Sequence, residues 1–209
     1  CCSSITGAWK FLIGIIDFGL GNLRSVEKAF EFLGVSAGII ESPIQADKAT
    51  HIVLPGDAAF GDAMRKLRKG KWVNCIEQSI AAGKPFLGIC VGLQLMFSES
   101  LELGHHAGLG LLPGLCQRFP NSERVPHIGW NQVDFNNSSP LLDGISSGTY
   151  FYFVHSFCVD ASKCNKVLAT TTYGLDFVSV VGSDGVFGVQ FHPEKSQNFG
   201  LRILKNFSE

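Results

Sequence analysis

The stretch Phe86-Leu87-Gly88-Ile89-Cys90-Val91-Gly92-Leu93-Gln94 decides the fold of this chain. Phe86 to Ile89 is a short apolar run that suits a buried strand, and Val91 to Phe97 reads as the helix that follows. Cys90 stands at the turn between them. Glycines on both sides, Gly88 and Gly92, allow a sharp turn and a close approach of backbone to backbone, the demand that shapes a nucleophile elbow. Parallel strands with crossover helices gather ligands at the strand carboxyl ends, and Cys90 falls at such an end.

Upstream, the same unit repeats. Phe11 to Ile16 is apolar and too short to span a bilayer, so it reads as a buried strand. A Gly19-Leu20-Gly21-Asn22 turn follows, and Leu23 to Leu33 places Val26, Ala29, Phe30 and Leu33 on one helical face. Val35 to Ile40 and His51 to Leu54 suit strands, Ala58 to Leu67 and Val73 to Ala82 suit helices, and Gly83 provides a C-terminal stop. Beyond about Leu115 the pattern changes to short strand-like stretches between turn residues: Gln132–Phe135, Tyr150–Val154, Val167–Thr172, Val178–Val181 and Gly185–Phe191. These are expected to extend the same sheet in antiparallel fashion. The predicted fold is therefore α/β, a mostly parallel central sheet flanked by helices, with antiparallel strands in the C-terminal third. Residues 11–209 form one domain in this reading, and residues 1–10, which lack periodicity, are an N-terminal extension or a cloning remnant.

Composition narrows the class of function. With 209 residues, 45% of them hydrophobic, and a formal net charge of -1, the chain reads as a soluble globule. Its Lys and Arg are dispersed, which argues against a nucleic-acid surface, and no membrane segment is expected. Seven scattered cysteines (Cys1, Cys2, Cys75, Cys90, Cys116, Cys158, Cys164) form no C-x-x-C pair, so they read as reduced thiols of a cytoplasmic protein. His105-His106 lacks a spaced third ligand, and no metal or cofactor is expected. Gly19-Leu20-Gly21 lacks the third glycine of a dinucleotide loop and reads as a tight turn with a helix cap.

A lone Gly-x-Cys-x-Gly is more often a buried core cysteine than a nucleophile. His192-Pro193-Glu194 changes the balance. In an extended segment, side chains two apart share a face, so Glu194 reaches the His192 ring while Pro193 stiffens the strap. A thiol at a helix N-terminus, favoured as thiolate there, an imidazole base and a carboxylate to orient it are the parts of covalent acyl transfer. His127 and His155 are alternative bases in principle, but neither has a carboxylate two residues on.

These residues resemble the class I (triad-type) glutamine amidotransferases, and within them the glutaminase subunits of imidazole glycerol phosphate synthases, from histidine biosynthesis. The resemblance runs from about Ile13 to Phe207. It rests on Ile16 to Leu23, Leu54-Pro55-Gly56, Phe60 to Met64, Gly88 to Gln94, Pro126-His127-Ile128-Gly129-Trp130-Asn131, Tyr152 to Ser156 and Gly188 to Ser196. It implies glutamine as substrate, Cys90 as nucleophile, His192 as acid and base, and Glu194 as its orienter. The backbone of Val91, with that of Asp57 and Ala58, is implied as the oxyanion hole. Gly56, Gln94, Glu102, Ser156 and Phe157 are implied to hold the substrate. A (βα)₈-barrel cyclase subunit, docked near Trp130, Tyr152 and Lys195, is implied as the partner of a heterodimer that receives the ammonia.

One departure stands out. The family usually reads P-G-V-G-A-F where this chain has Pro55-Gly56-Asp57-Ala58-Ala59-Phe60. If the loop must take φ > 0 to aim an N–H, Ala58 is disfavoured relative to Gly by about 1 kcal/mol. Two other readings stay open at this point. One is a paralogous amidotransferase feeding a nucleotide-sugar or surface-polysaccharide pathway; the other is a catalytically silent scaffold subunit.

Overall fold

The computed structural model describes residues 11–209, so Cys1, Cys2 and the rest of the N-terminal ten residues lie outside the described residues. The first strand, β1 (Phe11–Ile16), turns into helix α1 (Leu23–Phe32) and is followed by β2 (Ala37–Ile40) and β3 (Ala49–Gly56). Two helices, α2 (Phe60–Lys69) and α3 (Trp72–Ala81), lead to β4 (Phe86–Cys90) and the short α4 (Val91–Met96). Then come β5 (Phe97–Ser100), β6 (His106–Ala107), β7 (Leu112–Arg118), β8 (His127–Phe135), β9 (Thr149–His155) and β10 (Phe157–Val159). The chain closes with β11 (Val167–Thr172), β12 (Asp176–Ser183), β13 (Val186–Val189) and α5 (Gln197–Ser208).

Nine strands form one sheet in the order β2-β1-β3-β4-β13-β12-β11-β8-β9. From β2 to β13 all pairings are parallel, and from β13 to β9 all are antiparallel. The parallel half is buried on both faces, which explains its unbroken apolar runs: every residue of β4 is buried. On α1, Val26, Ala29 and Phe30 turn inward as the spacing predicts, and Asn22 caps the helix by accepting the Ser25 N–H. The glycine turn before it is held by Asp17 Oδ1, which accepts the Gly19 N–H at 2.7 Å.

Among the differences from the sequence reading, two helix bounds and one further sheet bear on the site. Helix α4 ends at Met96, one residue early, because the chain passes directly into β5. β5, β6, β7 and β10 form a second, four-stranded sheet that the residue pattern does not announce. β5 follows the helix without any turn residue, and β6 is two residues long. Finally, α2 starts at Phe60 rather than Ala58. Its N-cap position, Ala59, has no side chain able to cap, and Glu102 Oε2 supplies the acceptor for the Phe60 N–H at 2.7 Å. A cap arriving from 42 residues downstream leaves no local trace.

Cys75, Cys90, Cys116, Cys158 and Cys164 are free thiols. Among the described residues, no helix is long and apolar enough to cross a membrane, and no cluster of His, Cys, Asp or Glu is placed to hold a metal ion.

Candidate active site

Three neighbouring strand ends build the site. β3 ends at Gly56, which is the register partner of Cys90 at the end of β4, and β13 ends one residue before Gln190. The parallel register therefore brings Gly56, Cys90 and the segment Gln190 to Glu194 to one edge of the sheet.

Cys90 carries the strain of the elbow itself, with φ 54° and ψ -108°. A non-glycine residue in this region costs on the order of 1–3 kcal/mol and is held there by its surroundings. Those surroundings are the two glycines. A Cβ on Gly92 would run into the carbonyl oxygen of Leu54, and one on Gly88 would lie 2.6 Å from the Gly92 carbonyl oxygen. The flanking glycines thus serve close packing of α4 against β3 and β4, while the cysteine makes the turn.

The Cys90 side chain is 2% exposed. Its thiol points toward the Val154 carbonyl at 3.8 Å, and Gln190 Nε2 donates to the sulfur at 3.7 Å. His192 and Glu194 are also buried, and His192 Nδ1 donates to Glu194 Oε1 at 2.8 Å. The expected extended strap is instead a 3₁₀ turn over Pro193–Lys195, entered from an extended His192. The carboxylate still reaches the ring, because the turn folds Glu194 back over it. The strap is tied to β9: the His192 N–H donates to the Tyr152 carbonyl at 2.9 Å, and Ser196 Oγ bridges the Tyr152 N–H and the His192 carbonyl.

With Nδ1–H committed to Glu194, the other ring nitrogen, Nε2, is buried without a hydrogen-bond partner among the described residues. Burial alone favours the neutral ring. The Cys90 sulfur and the Glu194 carboxylate outweigh it and push the His192 pKa up to about 10.

A cavity of about 260 Å³ opens over these groups. Of the sequence-predicted residues, Cys90, Val91, Asp57, Ala58, Gln94, Glu102, Ser156, Phe157, His192 and Lys195 line it. Glu194 sits behind His192, and Gly56 is buried at its strand end. Trp130 and Tyr152 lie beyond the cavity on β8 and β9, with their rings edge to face at 6.0 Å. Neither Asp57 nor Ala58 takes a positive φ, so Ala58 is unstrained in this conformation. Asp57 is exposed.

Pro126, Val154 and His155 also line the cavity, and Gln190 touches the thiol from below; sequence reading assigned none of them a place in it. Gln94 is 2% exposed, and its amide N–H groups go to the Phe157 carbonyl at 2.8 Å and Gln190 Oε1 at 3.1 Å. His127 and His155 are not bases aimed at the thiol. They bond each other, and burial lowers their pKa values to about 4 and about 3.

Comparison with known proteins agrees with this architecture. The imidazole glycerol phosphate synthase subunit HisH of Syntrophotalea carbinolica is 48% identical over 205 residues, covering 95% of this chain and all of the relative. The subunit of the same name from Aquifex aeolicus is 48% identical over 194 residues, covering 92% of this chain and 94% of the relative. Among solved structures, PurLQS from Thermotoga maritima superposes with a TM-score of 0.75 at 20% identity, over 95% of this chain and 97% of that one, which shows the fold. The family model "Glutamine amidotransferase class-I" matches residues 14–209, and the chain belongs to that family.

Proposed function

We propose that this chain is the glutaminase subunit of an imidazole glycerol phosphate synthase, releasing ammonia from glutamine through a thioester on Cys90. The observation that carries the reading is the buried, unpartnered Nε2 of His192, set by Glu194 on one side and facing the cavity that holds Cys90. A cavity of about 260 Å³ also suits an amino acid better than a larger ligand.

In the first half-reaction, Cys90 Sγ passes its proton to His192 Nε2 and adds to the carboxamide carbon; the C–N bond then breaks, and His192 gives that proton to the departing ammonia. In the second, His192 takes a proton from water, whose oxygen attacks the thioester; the C–S bond breaks, glutamate is freed, and the proton returns from His192 to the Cys90 sulfur. Glu194 keeps Nδ1 protonated throughout, so that Nε2 is the nitrogen that exchanges the proton. Val91 opens α4, where a backbone N–H has no intrahelical acceptor, and it donates to the tetrahedral oxyanion. A second donor comes from the Asp57-Ala58 loop. Glu102, held by the Phe60 N–H through one oxygen, presents the other to the substrate ammonium. Gly56, Gln94 and the backbone of Ser156 and Phe157 shape the rest of the pocket.

Free ammonia protonates in water, so the product is passed directly to a second subunit. That partner is a (βα)₈-barrel cyclase docked near Trp130, Tyr152 and Lys195, in the cytoplasm, where the thiol stays reduced. The test is glutamate formation from glutamine, alone and with a histidine-pathway cyclase bound to its ribonucleotide. Stimulated turnover, abolished by Cys90→Ala, is expected. Turnover that the cyclase does not stimulate points to another acceptor pathway, and no turnover in either case makes the chain a silent scaffold.

A further inference from the structure

Asn131, His127 and His155 stand apart from the mechanism above, yet their polar atoms are joined in series. Asn131 Nδ2 lies 3.3 Å from His127 Nε2, His127 Nδ1 lies 3.1 Å from His155 Nε2, and His155 Nδ1 lies 2.9 Å from the Phe157 carbonyl oxygen. The direction of every bond follows from the two ends. Phe157 O only accepts, so His155 carries its proton on Nδ1 and offers Nε2 as an acceptor. At the other end, Asn131 Oδ1 accepts the Gln132 N–H and Nδ2 also donates to the Thr172 carbonyl, which fixes the amide's orientation and makes it the donor to His127 Nε2. His127 then carries its proton on Nδ1, as His155 requires. Both readings meet in the middle without conflict.

The series does not stop at Phe157. Its carbonyl oxygen accepts a second bond from Gln94 Nε2, Gln94 Nε2 also donates to Gln190 Oε1, and Gln190 Nε2 donates to Cys90 Sγ. A continuous set of hydrogen bonds therefore runs from β8, the strand that carries the exposed Trp130, to the thiol. The rings in it are tightly held. His127 is stacked between Tyr173, at 4.1 Å, and Phe153, at 5.2 Å, while His155 packs against Phe119 and Phe177. His127 and His155 are 5% and 6% exposed, and burial keeps both neutral at physiological pH, as a one-directional chain of donors needs.

We propose that Asn131, His127 and His155 are positioning residues for glutamine hydrolysis: the chain of bonds they form fixes the Phe157 carbonyl, and through Gln94 and Gln190 it fixes the Cys90 thiol. This rests on the glutaminase reading above. Gln94 and the Phe157 backbone belong both to the chain and to the pocket, but Glu102, which meets the substrate ammonium, lies outside it, so losing the chain acts on kcat more than on KM.

His127→Phe keeps the ring between Tyr173 and Phe153 but leaves His155 Nε2 without a donor. His127→Asn gives up the stacking but restores a donor at the Nδ1 position. In the full-length protein, His127→Phe is expected to lower kcat about tenfold with KM changed less than about twofold, and His127→Asn to recover to within about threefold of the parent. A merely structural role for the ring predicts the reverse order. A kcat for His127→Phe within about twofold of the parent, or a lower kcat for His127→Asn than for His127→Phe, overturns the proposal. Ring ¹⁵N shifts provide a second arm that needs no turnover: neutral Nδ1–H tautomers at both His127 and His155 are expected at pH 7. An Nε2–H tautomer or an imidazolium at either overturns it. Should the parent hydrolyse no glutamine either alone or with the cyclase bound to its ribonucleotide, the glutaminase reading fails, and Cys90 alkylation by iodoacetamide replaces kcat. A rate changed about tenfold by His127→Phe then supports the chain of bonds, and an unchanged rate overturns it.

Discussion

The parallel and antiparallel halves of the main sheet are organised on different principles. Among the described residues, β1, β2, β3, β4 and β13 contribute no buried polar side chain, whereas β8, β9, β11 and β12 bury His127, His155, Thr171 and Ser179. In the first half, position is set by volume: Ile13, Ile15, Val53, Leu54, Phe86 and Leu87 fill the core, and the strand ends deliver Gly56 and Cys90 as a consequence of register. In the second, position is set by direction. Ser179 Oγ donates to Thr171 Oγ1 at 2.6 Å and Thr171 Oγ1 to the Gln132 carbonyl at 2.8 Å, much as the histidines hand one proton donor to the next. The lesson is that the Cys90 thiol is placed by packing from one side and by hydrogen bonds from the other.

The two halves should therefore break differently. Gly92→Ala attacks the packed half. With the Leu54 carbonyl in the way, the expected loss is about 3 kcal/mol, or a Tm lower by about 6–12 °C in thermal unfolding, with glutamine turnover lost alongside. An unchanged Tm would mean that α4 can move away from β3, and that volume does not set this position.

Acid attacks the bonded half. The folded-state pKa values of His127 and His155, about 4 and about 3, lie below the ordinary histidine value near 6.5, so between those limits the unfolded chain binds more protons. Stability from this pair is complete above pH 6.5 and falls as pH drops toward 4, by at most about 1.4 kcal/mol for each histidine per pH unit. His192 works in the opposite sense. Its raised value adds stability below pH 6.5 that is lost as pH rises toward 10. Denaturant titrations from pH 4 to 8 should show the acid-side slope shrink in His127→Phe; an identical slope would remove His127 from the account.

Ala58→Gly is the mildest change and tests the strand ends alone. Because Ala58 is unstrained in this conformation, the substitution should leave Tm nearly unchanged. Freed to adopt φ > 0, the loop should raise basal glutamine turnover by about fivefold, the rate equivalent of about 1 kcal/mol. Equal rates would show that the loop does not need a left-handed residue at this position.

How much of this was legible in the sequence follows the same division. Cys90 between Gly88 and Gly92, and His192 two residues before Glu194, were legible as two local patterns, and the strands of the parallel half because they are unbroken apolar runs. The strap was read correctly as a pair but wrongly as extended throughout: only His192 is extended, and the 3₁₀ turn that begins at Pro193 still leaves Glu194 bonded to the ring. Gln190, Pro126 and Val154 went unassigned, since each reaches the site only when strands distant in the chain come side by side. His155 was weighed as a base in principle and set aside for lack of a carboxylate two residues on, but its place lining the cavity was not read. Nothing local reveals that its two nitrogens are already occupied.

The tie between the His192 strap and Tyr152 has one more consequence. β9 is the last strand of the nine, and an uncovered last strand offers its backbone to any extended chain that meets it. Here the Tyr152 N–H and carbonyl are occupied by Ser196 Oγ and the His192 N–H. The segment that carries His192 is thus also the guard on an open sheet edge, and the same bonds that hold the imidazole in place deny that stretch of backbone to an incoming strand.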